Sequence, residues 1–257
     1  MNISFYERLK NEISLEKPVM LNEMKSVYIL TLEDGIVSGL EEAYNFIQFV
    51  DADLEVRAHK IDGKEMKRGE VLLSIVGMTH KTFKLAKVLM RLISKMSGVA
   101  TISKYYSEKL APTQLLDAHF YTPGLKEIEK VALSHGGVSE LDFKLISKEE
   151  IYALGGLKKT YEKMHLVEDV FCYEITDLRD FYDAQELDIH FLMLTGFNFD
   201  SLRRMALDNQ KEITLIPQGT YQPNQLESLQ SLGFKYLETS ILTKAARSIE
   251  LAMTFSE

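Results

Sequence analysis

Cysteine is nearly absent from this 257-residue chain. Cys172 stands alone, which excludes an intramolecular disulfide framework and a cysteine-rich metal site and makes a reducing cytoplasm the expected compartment. The ordinary role of such a residue is that of a small buried hydrophobe. No apolar stretch approaches the roughly 18 to 20 residues of a membrane span, so no membrane partner is expected. The opening MNISFYERLKNEIS turns polar and acidic too early to read as a signal peptide. Positive charge is also in deficit: 30 Lys plus Arg stand against 38 Asp plus Glu, for a formal charge of -8, which disfavours a nucleic-acid partner. Metal and cofactor signatures are missing too. His135 and Cys172 make no zinc, haem or iron-sulfur ligand set, and HGG at 135–137 is not followed by a dinucleotide fingerprint.

What is present is an ordinary acidic globular composition, 46% hydrophobic. At about 150 residues per domain the length allows one large domain or two moderate ones. The charges are unevenly placed. Residues 51–110 carry 12 Lys or Arg against 7 Asp or Glu, whereas residues 161–210 carry 4 against 11. A cationic block of this kind can hold an anionic ligand or an acidic partner surface, and a solvated helix face is its commoner explanation.

In the opening third, YNFIQFV reads as the end of an apolar helix. DLEVRAHKI alternates as a strand, DGKEMKRG supplies a turn, and EVLLSIVG is a second strand, which together favour a small mixed α/β domain. Thr79 is placed to cap the helix that follows. From Lys81 to Met96, Leu85, Leu89, Leu92, Ile93 and Met96 recur at helical spacing, while Lys84, Lys87, Arg91 and Lys95 share another face. Beyond residue 111, the apolar runs LLDAHF, VFCYEI, IHFLML, EITLI and FKYLET alternate with the helical stretches LKEIEKVALSHG, FDSLRRMALD, QLESLQSLG and TKAARSIELAM. This is the arrangement of parallel βα units, with Gly136 and Gly233 stopping two of the helices. Periodicity does not separate a barrel from an open doubly wound sheet.

Taken in order, GIVSGLEEAYNFIQFVDADLEVRAHKIDGKEMKRGEVLLSIVG, KLAKVLMRLISKMSGVAT, YTPGLKEIEKVALSHGGVSELDFKL and GFKYLETSILTKAARSIELAM resemble the quinolinate phosphoribosyltransferases (carboxylating nicotinate-nucleotide pyrophosphorylases) from about Gly35 to Met253. The strongest signatures are MSGVAT and TPGLKEIEKVALSHGG. The resemblance implies an α/β chain: an N-terminal open-faced α/β sandwich over 1–110, including the linking helix, then an incomplete TIM-like α/β barrel over 111–257 whose C-terminal helix packs back on the first domain. It also implies a homodimer or higher homo-oligomer, a small anionic or heterocyclic ligand and a place in NAD biosynthesis. The family joins quinolinate to phosphoribosyl pyrophosphate with Mg2+, releasing pyrophosphate and carbon dioxide. Two anionic substrates require cationic or amide donors, and acidic groups near ribose or magnesium.

This sequence departs from that pattern at most matched positions. Ala86 and Lys87 replace an acidic residue and an arginine, so charge survives without the two-pronged guanidinium, and Lys87 is the implied cationic catalytic and substrate contact. Ala118, His119, Phe120 and Tyr121 replace threonine-arginine-lysine-threonine, leaving His119 as a donor and Phe120 and Tyr121 as pocket walls. Leu141 and Asp142 replace histidine-arginine. Tyr152, Ala153, Leu154 and Gly155 replace lysine-aspartate-asparagine-histidine, with Lys158 and Lys159 nearby on a polar helix. Lys144 is a further implied substrate contact. Glu174 matches the first of two acidic positions, as catalytic, ribose or metal contact, while the second meets Leu194, Thr195 and Gly196. At the phosphate turn the chain reads Pro217, Gln218, Gly219 and Thr220, then Glu238, Thr239 and Ser240, so that Gly219, Thr220, Ser240 and Thr243 form the implied phosphate cradle. Each bland alternative is a surface, core or turn role.

At about 1.5 to 3 kcal/mol per lost charged contact, four or five losses weaken transition-state stabilisation by many powers of ten, although such contacts couple. The sequence therefore supports two function classes: a diverged, noncatalytic relative whose barrel mouth binds a different ligand or mediates assembly, and an active phosphoribosyltransferase with a rebuilt site and Mg2+. A third is a dimeric scaffold whose Lys84, Lys87, Arg91 and Lys95 face the acidic part of a partner.

Overall fold

The structure, a computed structural model, describes residues 3–15 and 23–256. Met1, Asn2, residues 16–22 and Glu257, which the expected domain spans include, lie outside the described residues. In chain order the elements are α1 (Ile3–Leu15), β1 (Met24–Thr31), β2 (Gly35–Ile36), α2 (Leu40–Val50), β3 (Glu55–Ala58), β4 (Glu65–Met66), β5 (Val71–Met78), α3 (Thr79–Leu110), β6 (Gln114–Leu116), α4 (Lys126–His135), β7 (Lys144–Ile146), α5 (Lys148–Ala153), α6 (Leu157–Met164), β8 (Phe171–Ile175), α7 (Leu178–Ala184), β9 (Phe191–Thr195), α8 (Phe199–Asp208), β10 (Thr214–Gly219), a 3-10 turn at Pro223–Gln225, α9 (Leu226–Gln230), β11 (Tyr236–Thr239), α10 (Ile241–Lys244) and β12 (Leu251–Phe255). They fall into two compact units. One holds residues up to 105, 121–137 and those from 242 on; the other holds 106–120 and 138–241. No helix among the described residues is long and apolar enough to cross a membrane.

In the first unit, β12-β1-β5-β3 form an antiparallel sheet. Val27 and Ile29 alternate inward on β1, and the fully buried side chains of Phe46, Ile47, Leu89 and Ile93 on α2 and α3 contribute to the core. The helix at YNFIQFV and the β3–β5 pair lie where periodicity places them. Three local expectations need correction. The stretch between β3 and β5 is not a tight turn, because β4 leaves to pair with β2 and Asp62 accepts from the backbone of Leu40 and Glu41 at 3.0 Å each, offsetting the free amides at the start of α2. Thr79 is the first residue of α3 rather than its cap, and its hydroxyl donates to the Glu23 carbonyl at 2.6 Å. TKAARSIELAM is not a helix either: after the short α10 the chain extends into β12, which pairs with β1 from Leu251 to Phe255. Sheet pairing there outweighs the helical spacing of a few alanines and leucines.

The two strongest family signatures are packing devices within this unit. A Cβ on Gly98 of MSGVAT would lie 2.0 Å from the Arg247 carbonyl oxygen, and one on Gly136 of HGG would lie 2.2 Å from Ser103 Cβ, so only glycine permits these approaches. Buried Glu129 accepts from the Thr122 amide and hydroxyl at 2.6 and 2.7 Å and from Lys95 at 3.4 Å, tying TPGL to α4. His135 shares a hydrogen bond with Ser38 at 2.8 Å.

The second unit is a six-stranded parallel sheet, order β6-β11-β10-β9-β8-β7. Ser139 runs beside β6 on its other edge, bridged to Leu116, with the Asp117 amide donating to the Ser139 carbonyl at 3.0 Å. The sheet is thus an open, incomplete TIM-like barrel, and the choice between barrel and doubly wound sheet is settled. Its inner floor is apolar, with Leu116, Cys172, Met193, Ile216 and Tyr236 packed together. Burial pushes the Cys172 thiol up, as expected of a buried hydrophobe.

Candidate functional site

In parallel α/β units, side chains at the carboxyl ends of the strands point into the mouth. Strand register places three such residues side by side there: Thr195 ends β9 opposite Gln218 on β10, and Gln218 stands opposite Glu238 on β11. Thr195 Oγ1 donates to Gln218 Oε1 at 2.7 Å, and Gln218 Nε2 donates to Glu238 Oε1 at 2.7 Å. Glu238 is 4% exposed. Burial lifts its carboxyl to about 7, against the hydrogen bond from Gln218, and the neighbouring charges of Asp117 and Glu174 add to the rise.

Gln218 and Glu238 border a cavity of about 270 Å3 whose lining also includes Asp117, His119, Glu140, Leu141 and Phe143. His119 sits in the left-handed region, φ 50°, with its amide donating to Asp117 Oδ1 at 2.9 Å. Among the described residues, no lysine or arginine lines the cavity.

The structure brings together only part of the set implied by the sequence. His119 lines the cavity, and Phe120 follows it, 49% exposed. Glu174 lies at the mouth end of β8, buried, with its Oε2 accepting from the Lys148 amide at the start of α5 at 3.2 Å. Gly219 ends β10 in ordinary extended backbone, and a Cβ there would meet the Tyr221 ring at 2.9 Å, so PQG is strand rather than phosphate turn. Thr220 and Ser240 bring their hydroxyls to 3.5 Å.

Other implied residues are not in that cavity's lining. Lys144 begins β7, at the strand end opposite the mouth, and pairs with Asp169 at 2.5 Å. Lys87, Tyr121 and Thr243 belong to the first unit: Lys87 Nζ lies 4.6 Å from the Phe83 ring centroid, Lys126 Nζ lies 5.7 Å from that of Tyr121, and Thr243 is buried on α10. Of the cationic stripe, Lys95 reaches Glu129 and Arg91 approaches Glu12 at 3.9 Å. Lys158 and Lys159 are exposed on α6. Asp117, Glu140, Gln218 and Glu238 are cavity residues that motif matching passes over. A period-two signal marks the last two, because each stands two residues beyond a buried apolar residue, Ile216 and Tyr236. Among the described residues no three His, Cys, Asp or Glu side chains form a set that could hold a metal ion.

The fold and the mouth at its strand ends define an incomplete α/β-barrel protein. Residues 14–97 match the family model for the quinolinate phosphoribosyl transferase N-terminal domain and residues 99–254 that for its C-terminal domain, so the chain belongs to the quinolinate phosphoribosyltransferase family. It is 31% identical over 135 residues to the chloroplastic nicotinate-nucleotide pyrophosphorylase (carboxylating) of Arabidopsis thaliana, which covers 51% of this chain and 39% of that protein. The probable nicotinate-nucleotide pyrophosphorylase of Synechocystis is 22% identical over 237 residues, covering 86% of this chain and 79% of the relative. The match thus spans well under half of the plant relative and most of the cyanobacterial one. The fold superposes on the nicotinate-nucleotide pyrophosphorylase of Francisella tularensis with a TM-score of 0.87 at 19% identity, covering 98% of this chain and 95% of the other. For the Ehrlichia chaffeensis structure the TM-score is 0.89 at 17% identity, covering 100% and 99%.

Proposed function

We propose that this chain is a diverged member of its family that does not turn over quinolinate, and that its barrel mouth serves a small ligand less anionic than the family's substrates, or an assembly role. The observation that carries the proposal is the cavity lining: Asp117, Glu140 and Glu238 with no lysine or arginine among the described residues, in a site where two anionic substrates would need fixed positive charge. The working form is a cytoplasmic homodimer or higher homo-oligomer, with its domains dividing near residue 110. The test is product formation from quinolinate and phosphoribosyl pyrophosphate with Mg2+. No nicotinate mononucleotide above background is expected, and robust turnover that Glu174→Gln abolishes would sink the proposal.

One contact favours a second reading. The hydroxyls of Thr220 and Ser240, 3.5 Å apart at neighbouring strand ends, offer donors to a phosphate, and Glu174 supplies a carboxylate at the same rim. Under this reading the chain is an active phosphoribosyltransferase joining nicotinate, quinolinate or another small heterocyclic acid to phosphoribosyl pyrophosphate, with release of pyrophosphate. The described residues do not fit a magnesium site of their own, since Glu174 belongs to no three-membered ligand cluster.

A further inference from the structure

β8 lines a groove on the face of the sheet away from the barrel floor. Cys172 packs into that floor, so alternation turns Phe171 and Tyr173 outward, toward the helices. There they border a groove of about 410 Å3 together with Tyr161, Met164 and His165 from the end of α6 and His190 just ahead of β9. The groove lies wholly within the second compact unit, at the amino ends of the strands, whereas the mouth opens at their carboxyl ends. Its walls are aromatic. Tyr161 and His165 stack with ring centroids 5.3 Å apart and planes 16° apart, and the Phe171 and Tyr173 rings lie tilted at 6.5 Å.

Two polar groups stand among these rings. Tyr173 is 4% exposed, and its hydroxyl has no hydrogen-bond partner among the described residues. The sealed side-chain polar atom without a partner among those residues is Ser103 Oγ, so the Tyr173 hydroxyl is open to the groove that it lines. Burial, and after it the neighbouring Tyr161, push this hydroxyl up to about 12, which keeps it a neutral donor. His165 donates from Nδ1 to the Tyr161 carbonyl at 3.0 Å, and the neutral ring then presents Nε2 as an acceptor.

We propose that this groove is a binding site separate from the barrel mouth and that it takes a neutral, flat nitrogen heteroaromatic of one or two rings, with a ring nitrogen accepting from the Tyr173 hydroxyl and a ring N–H donating to His165 Nε2. The ring packs among Tyr161, Met164 and Phe171. An aliphatic body gives up the ring contacts, and a plain hydrocarbon ring covers the hydroxyl and Nε2 without meeting either. A heterocycle that carries one acceptor and one donor in its plane meets both. The site stands whatever the barrel mouth binds, because no residue is shared between the two linings.

Indazole, indole and benzisoxazole share one fused-ring outline: indole lacks the ring acceptor of indazole, and benzisoxazole lacks its N–H. Each is titrated into the full chain at about pH 8, above the ordinary imidazole range, and followed by NMR at the Phe171, Tyr173 and Phe143 rings. Indazole is expected to bind roughly 5- to 10-fold more tightly than either relative, with shifts at Phe171 and Tyr173 and none at Phe143 in the barrel mouth. Tyr173→Phe removes one unpartnered oxygen and should erase the advantage over indole. His165→Phe keeps a ring beside Tyr161 and should erase the advantage over benzisoxazole; because His165 is exposed, this variant carries the test if Tyr173→Phe folds poorly by thermal unfolding. Indole binding as tightly as indazole overturns the role of Tyr173, and benzisoxazole doing so overturns that of His165. Shifts at Phe143 with none at Phe171 overturn the groove as the site while leaving the mouth a ligand site, and no shift at Phe171 with any of the three overturns the proposal.

Discussion

Along β8 to β11 the inward-facing residues change character within a single two-residue step. Cys172, Met193, Ile216 and Tyr236 close into an apolar floor, whereas Glu174, Thr195, Gln218 and Glu238, each two residues further along, carry polar groups. Period-two alternation keeps both sets on the inner side of the sheet. The floor is stabilised by volume and water exclusion, which any well-fitting apolar set supplies. The upper rung depends on identity and register, because each polar group needs its particular partner. A family scaffold can thus persist through the floor while the chemistry one step above it changes.

The largest expected effect comes from breaking the floor. Ile216→Ala should lower stability by about 2 to 5 kcal/mol in chemical denaturation, through lost transfer energy and the cavity left behind. A loss of less than about 1 kcal/mol would mean that the floor is not what holds the barrel.

Next in size is a pH effect on the upper rung. With the Glu238 carboxyl lifted to about 7 in the folded chain from an ordinary value of 4.5, the folded state holds a proton that the unfolded state has already released. That stabilisation is complete below the unfolded value and is lost as pH rises through about 7, a decline of up to about 3 kcal/mol. Glu238→Gln should flatten this decline, measured as denaturation midpoints between about pH 4 and 8; an unchanged slope would show that Glu238 does not titrate there. The smallest effect is expected from Thr195→Val, which removes the donor 2.7 Å from Gln218 Oε1. It should cost about 1 kcal/mol and broaden the Gln218 side-chain amide signal, while leaving the floor intact.

Much of the scaffold was legible in the residues. VFCYEI encloses β8, IHFLML covers all of β9 but Thr195, EITLI covers the first half of β10, and FDSLRRMALD coincides with α8, because buried parallel strands and amphipathic helices write strong periodic signals. β7 was passed over, since three residues are too few to show a period and its pairing with β8 is what defines it. β12 was misread as helix because only its pairing to β1 makes it a strand. The site was less legible. Motif matching led to Lys144, which the fold puts at the strand end opposite the mouth. It passed over Gln218 and Glu238, which have no signature of their own and become a pair only through the parallel register of β10 and β11.

The sequence by itself determined the family, the alternation of strands and helices and the glycines at 98 and 136, since periodicity and small residues are properties of the chain that need no distant partner to be read. Only the tertiary structure decided that Thr195, Gln218 and Glu238 form one hydrogen-bonded rung and that, among the described residues, acidic side chains line the mouth without lysine or arginine. The physical reason is that hydrogen bonds and buried charge depend on distances of a few ångströms between residues that lie about 20 positions apart in the chain and meet only when the strands pair.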